Sequence, residues 1–318
     1  MSEAFSQPQS NAPAPPAPPA PMPAVAPEPA KGKLLRAAHQ RHDDFAALLT
    51  RASEPAGGLS DADFVHDLRV ASRRIGEAAR LLRPFTDKPT AKAVDASLRA
   101  IRRAMGDLRD SDVTREHLEK WKMPGPLKQV ARELSSLHAA SRPGLEAAAR
   151  TQIHSASLTG TMVVLARILE DRGMPEVAAE TERHLRGTLE DQIKKREKKM
   201  RRSFGTAAKK QTAAALHAAR ITVKKLRYVL ELAADAGLQR GAKKKIRLLK
   251  QLQQLLGDHH DAHVVAEELQ RHLKIKRDKP IPSLLPAWRK WQRLTNTAQS
   301  KRAAIFFART YAWINEER

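Results

Sequence analysis

The sequence predicts an all-α fold with an internal duplication, and three observations carry that prediction. From Lys31 to Arg318 no convincing strand pattern appears, while apolar residues recur at helical spacing. The ten prolines of this stretch fall between the periodic segments, where helix breaks belong. Two stretches also repeat. VHDLRVASRRI (65–75) lies over LHAARITVKKLRY (216–228) at an offset of 151 residues, which places His66 on His217, Arg69 on Arg220, Arg73 on Lys224 and Arg74 on Lys225. The same offset, without a gap, carries Lys92 to Lys243, Arg99 to Lys250, Gly106 to Gly257, Asp107 to Asp258, Asp110 to Asp261 and Glu116 to Glu267. One shared offset over about fifty residues marks a repeat, which takes precedence in any fold assignment.

Residues 1–30 hold ten of the twenty prolines, mixed with alanine and only two acids, and are expected to be an extended mobile tail acting as a spacer. After it, the pattern predicts helices near 31–52, 61–83, 89–121, 126–140, 144–171, 174–203, 212–236, 239–272 and 283–315. The two expected halves are 31–172 and 173–318. Leu59–Ser60–Asp61 offers an N-cap to the first histidine helix. Gly205–Thr206 and Ala236–Gly237 are expected turns around the second.

At about 100° per residue, each histidine helix divides into two stripes. In the first, His66, Arg69, Arg73 and Arg80 share one side, and Phe64, Leu68, Ala71, Ile75, Ala78 and Leu82 the other. In the second, Arg220, Lys224 and Arg227 fall on the side of His217, opposite Ala219, Leu226, Val229 and Ala233. The helix at 89–121 divides likewise, with Lys92, Arg99, Arg103 and Asp110 on one face; Lys243, Lys250 and Asp261 match in the second half. A solvated helix face ordinarily mixes signs for solubility. The first stripe is almost wholly positive and is duplicated together with its histidine, which sets it apart. Asp110 and Asp261 either orient neighbouring cations or form ordinary surface ion pairs. KKREKKMRR (194–202) has seven cations in nine residues and reads as an addition to the positive surface or as a solvated face.

Composition bounds the function. The chain has 318 residues, 58 Lys plus Arg against 35 Asp plus Glu, a net charge of +23 and a pI near 10.6. Self-repulsion of this size points to a polyanionic partner: nucleic acid, an anionic membrane or a phosphate polymer. The absence of cysteine excludes disulfides, thiolate chemistry and cysteine-ligated metals. Aromatic residues at 4% are few for a protein that stacks bases. No run approaches twenty apolar residues and no secretory signal is recognisable, so no membrane span and a cytoplasmic location are expected.

Catalytic signals are weak. His259 and His263 of HHDAH have i, i+4 spacing compatible with metal ligation. The first copy places Leu108 and Asp112 there, so the pattern does not repeat. There is no Gly-rich phosphate loop, no HExxH and no GxSxG. His66 and His217 are general-base candidates without a paired nucleophile, and phosphate contact or a structural role suits them better.

With their following MGDLRDSDV and LGDHHDAHV, the two histidine stretches resemble the CHAD family, the conserved histidine α-helical domain, over about residues 31–318. The resemblance implies two bundles related by a pseudo-two-fold axis, with basic helix faces lining a central cleft or pore. It implies binding of inorganic polyphosphate and, in several bacteria, association with polyphosphate granules; no cofactor is expected. It carries His66, Arg69, Arg73 and Arg74 over as ligand contacts in the first half, and His217, Arg220, Lys224, Lys225 and Arg227 in the second. Gly76 departs from the pattern, standing where the family often has arginine and the second half has Arg227. The physics agrees: a polyphosphate needs closely spaced cations and few aromatics, Arg giving forked donors and Lys point charges. The competing expectations are sequence-independent nucleic-acid binding and, further off, a metal-dependent phosphohydrolase.

Overall fold

The computed structural model describes residues 32–54, 57–155, 158–239 and 241–275, with scattered positions between 287 and 309. The described residues form eight helices before residue 276: α1 (Lys33–Ser53), α2 (Ala62–Leu81), α3 (Lys88–Lys120), α4 (Gly125–Ser155), α5 (Leu158–Gly173), α6 (Pro175–Lys210), α7 (Ala213–Asp235) and α8 (Ala242–Ile275). A single 3-10 turn (Arg83–Phe85) links α2 to α3, and no strand occurs among the described residues. The fold is all-α, as the sequence predicts. The proline-rich tail, and most of the helix expected near 283–315, lie outside the described residues.

Helix starts follow their caps. The Asp61 side chain accepts from Asp63 N to open α2, Asp87 accepts from Thr90 N to open α3, and Thr212 from Ala215 N to open α7. The start of α1 has no local cap; Leu34 N donates instead to the Glu182 carboxylate of α6 at 3.0 Å. A carboxylate there also meets the positive end of the helix dipole. α7 ends at Asp235 with Ala236 as its cap, and Gly237 takes φ 64°, the turn expected there.

Two expected breaks are corrected. α4 runs through Pro143 without the break expected between 140 and 144, and is described as far as Ser155. Proline forfeits one backbone hydrogen bond, but the flanking residues are pinned by α3. Arg142 grips the buried Asp112 carboxylate at 2.7 and 3.2 Å and reaches Leu59 O, and His138 bonds Ser111 at 3.0 Å. The turn expected at Gly205–Thr206 is absent because Phe204 and Ala207 are core residues, and burying them continues α6 to Lys210. The reversal comes at Gln211, in the left-handed region at φ 48°.

α2 starts at Ala62 and α7 at Ala213, separated by the repeat offset of 151. α2 packs on α3 and α7 on α8; across these pairs α2 packs on α7 and α3 on α8. One apolar core draws on both halves, from Leu34 and Phe45 of α1 through Leu68 and Ile75 to Leu226 and Val229. α1 strengthens the join: buried Arg41 reaches Asp235 of α7 at 2.9 Å and donates to Arg74 O. A smaller core of Leu118, Leu127, Val130, Val265, Leu269 and Trp291 closes the far ends of α3, α4 and α8.

Candidate functional site

The apolar stripes of α2, α3, α7 and α8 go into that core, so their polar stripes face one another. Between them lies a cavity of about 890 Å³. From α2 it receives His66, Arg69, Arg73, Glu77 and Arg80, and from α7 His217, Arg220, Lys224, Lys225 and Tyr228. From α3 come Asp95, Arg99, Arg102, Arg109, Asp110 and His117, and from α8 Gln253, His260 and Asp261.

Nine of the expected contact residues line this cavity: His66, Arg69, Arg73, Arg80, Arg99, His217, Arg220, Lys224 and Lys225. Six do not. Lys92, Arg103, Lys243 and Lys250 are exposed, away from it. Arg74 and Arg227 share one carboxylate instead: Arg74 Nε donates to Glu231 at 3.4 Å, and Arg227 to the same side chain at 3.0 Å. Arg227 is buried with its guanidinium over the Tyr228 ring. The helical wheel put it on the histidine side, but Glu231 one turn on draws it away.

Arg102 and Arg109 were missed. With Asp95, Arg99 and Gly106 they form a row at positions 95, 99, 102, 106 and 109, spaced by three or four along one face of α3, so helical periodicity alone could have found them. They drop out when candidates must match in both copies, because the second half has Gln253 and His260 there. Gly76 gains an explanation through Arg102. A Cβ on Gly76 would sit 3.7 Å from Arg102 Nη1, which donates to Ser72 O at 3.1 Å. The first half thus draws this arginine from α3, and the second carries one on α7 as Arg227.

The repeated Gly-Asp has a structural counterpart in both halves. Arg69 Nη1 lies over Gly106, where an added Cβ would be 3.8 Å away, and the Arg220 guanidinium lies over Gly257 at 3.9 Å. Each histidine-helix arginine therefore lies against the following helix at its glycine. The aspartates differ. Asp110 is raised by desolvation between the walls, opposed by the charge of Arg69. Burial would also raise Asp261, but the hydrogen bond from His117 and the charge of Arg220 outweigh it and hold it low. His117 Nε2 and Asp261 Oδ2 are 3.5 Å apart.

Crowding among like charges shows in the cations. Burial, followed by the charges of Arg220, Arg73 and Arg69, lowers Lys224 to about 7. Burial and neighbouring arginines lower Arg69 and Arg102 to about 10, which leaves both charged at neutral pH. His66 and His217 are lowered by the same two causes. His260 falls to about 4, its ring 4.7 Å from that of His217. Of the remaining HHDAH histidines, His263 pairs with Glu267 at 3.3 Å. No group of three His, Asp or Glu suited to a metal ion occurs among the described residues.

The arrangement defines a helical protein whose cationic stripes converge on one internal cavity. The sequence model of the CHAD domain matches residues 24–270, and the chain belongs to that family. A crystal structure of the CHAD domain from the plant Ricinus communis is similar at a TM-score of 0.58 and 21% identity, covering 88% of this chain and 91% of that one, and shows the same fold. Among curated proteins nothing matches significantly. No helix among the described residues is long and apolar enough to cross a membrane.

Proposed function

We propose that the cavity binds inorganic polyphosphate and does not hydrolyse it. The lining carries this reading: ten arginines and lysines and only four carboxylates surround one space. Placing so many like charges together costs solvation and repulsion, which a polyanion offsets. Membership in the CHAD family, associated with polyphosphate in general, supports the choice of anion. Arg220 Nε is buried without a hydrogen-bond partner among the described residues, an unused donor that a phosphate oxygen suits. Tyr228, the one aromatic outside the histidines on the wall, lies under the Arg227 guanidinium, which leaves little for base stacking. A duplex, whose major groove alone is about 12 Å wide, would meet only the rim.

Lack of turnover belongs to the proposal. The histidines on the wall stand among arginines, and Asp261, the carboxylate nearest one of them, is held by His117 and Arg220. Residence in the cytoplasm, on polyphosphate granules, is the remaining part. The decisive experiment is a competition titration of polyphosphate against duplex DNA at fixed, near-physiological salt. Duplex DNA should fail to displace polyphosphate at equal phosphate concentration; equal displacement would overturn the assignment. Orthophosphate release above a heat-killed control would overturn the non-hydrolytic part.

A further inference from the structure

The long helix α6 is seated on the two histidine helices at one mouth of the cavity. Gln192 Nε2 donates to Arg80 O at 3.4 Å, Arg196 Nη1 to Lys225 O at 2.6 Å, and Ser203 Oγ meets Thr222 Oγ1 at 2.7 Å. Arg196 also pairs with the cavity carboxylate Glu77 at 2.5 Å. Arg80 and Lys225 are both cavity-lining residues, so this row of α6 follows the rim. Immediately outward on the helix surface come Lys195, Lys199 and Arg202, at i, i+4 and i+7. They form one exposed stripe about 10 Å long at 1.5 Å rise per residue.

Two observations separate this stripe from an ordinary solvated face. Glu197, the sole acid between Gln192 and Lys210, is engaged by Lys245 at 3.4 Å, so the one α6 acid adjoining the row is Asp191, a turn before Lys195, against three cations. The stripe is also electrically continuous with the cavity. After burial, the charge of Lys199 is the largest influence lowering Lys225, ahead of Arg80 and Arg196. Cations that repel one another across a rim are held there at a cost, and a bridging polyanion relieves it.

We infer that α6 extends the binding track beyond the cavity, so that a long polyphosphate chain leaves past Arg80 and Lys225 and continues along Lys199, Lys195 and Arg202. The inference rests on the proposed cavity function and adds to it a preference for chain length. A chain short enough to stay among Arg69, Arg73 and Arg220 does not reach α6; a long chain does.

The test compares tripolyphosphate with long-chain polyphosphate, each titrated into the full-length protein. The triple variant Lys195→Gln, Lys199→Gln, Arg202→Gln should keep tripolyphosphate affinity. It should lose about tenfold for the long chain, with a shallower dependence on salt. A variant with the same charge change at exposed sites away from the cavity, Lys128→Gln, Arg132→Gln, Arg167→Gln, should retain both affinities. Equal loss for both ligands, equal loss in the two triple variants, or no loss at all would overturn the inference while leaving cavity binding in place. So would a variant that loses single-stranded nucleic acid but keeps long-chain polyphosphate. A wild-type protein that binds neither phosphate chain would remove the cavity reading itself. Helical circular dichroism matching the wild type shows that the variants fold.

Discussion

The two walls of the cavity come from helix pairs that repeat in sequence, yet they hold charge differently. The α2/α3 wall takes every cation from arginine: Arg69, Arg73, Arg80, Arg99, Arg102 and Arg109. The α7/α8 wall keeps Arg220 but has Lys224 where the first has Arg73, His260 where it has Arg109, and Gln253 where it has Arg102. Guanidinium stays protonated through the physiological range; Arg69 and Arg102, lowered to about 10, remain so. Lys224 at about 7 and His260 at about 4 do not. A repeated scaffold thus presents one wall of fixed charge and one whose charge depends on pH. What the copies share is the placing of one arginine over one glycine, Arg69 on Gly106 and Arg220 on Gly257.

The largest expected effect tests whether the walls act on one ligand. Arg69→Ala with Arg73→Ala should weaken polyphosphate binding about 30-fold, from two lost charged hydrogen bonds. Arg220→Ala with Lys224→Ala should cost less at pH 8 than at pH 6, because Lys224 is then largely neutral in the free protein. All four together should cost about a thousandfold if the ligand lies between the walls. Titration calorimetry with a short, defined polyphosphate is the measurement. Stoichiometry that halves in either double variant, with affinity unchanged, would mean two independent sites and end the shared-cavity description.

The all-α fold was legible in the sequence, and so was the place of nine of the fifteen expected residues on the cavity wall, because each rests on periodicity. Repeat matching found Arg69 and Arg220 through identity at a fixed offset. The same rule hid Arg102 and Arg109, which belong to one wall alone, and it brought in Lys92, Lys243 and Lys250, which match but face solvent. Arg74, expected from the resemblance, and Arg227, expected from the helical wheel as well, lie off the cavity wall because both meet the Glu231 carboxylate, which neither signal registers. Pro143 misled for a related reason: the hold of Arg142 on Asp112 is tertiary and leaves no local trace. The crowding that lowers Lys224 likewise arises from residues on two helices, α2 and α7.

The pH-dependent wall should show in binding. Ligand phosphates favour the charged form of Lys224, so binding should take up protons between pH 7 and 9 and weaken as pH rises through about 7, by about tenfold. Calorimetry in buffers of different ionisation enthalpy reads the uptake, and Lys224→Arg should abolish it. Stability runs the opposite way. The folded-state value lies below the unfolded 10.5, so the unfolded chain binds more protons between about 7 and 10.5 and the folded state gains stability as pH rises across that window. Lys224→Met should therefore raise the melting temperature at pH 7 by about 2–4 °C while weakening the ligand. A variant that loses stability would show that the ammonium is better paired than its neighbours indicate.

The aspartates sharpen the comparison on a smaller scale. Asp261 is held below the usual carboxylate range, so it contributes stability above its unfolded value, lost as pH falls through the folded one. Asp110 is raised, so its charge works against folding at neutral pH. Asp261→Asn should cost about 1 kcal/mol in urea unfolding, and Asp110→Asn should be neutral or stabilising. Equal costs at the two positions would mean that His117, which bonds only Asp261 of the pair, contributes nothing.

The smallest effect belongs to residues 1–30, which serve as the reference for both walls. This segment has no lysine or arginine and two glutamates, so it offers no cationic side chain to phosphate and acidic side chains opposed in charge to the walls. Its alanine and proline content gives no apolar stripe for a helix to bury. Removing it should leave helicity and the melting temperature unchanged and shift polyphosphate affinity by less than about twofold. The direction is informative. The two acids could act only by competing with the ligand for the cavity, so a measurable effect of deletion should be tighter binding, steepest at low salt where their reach is longest. Weaker binding after deletion would require a tail contact to phosphate through its few Ser, Asn and Gln side chains or through backbone N–H groups, which ten prolines make scarce. That outcome would place part of the site outside both walls, and the contrast between them would then account for only part of the affinity.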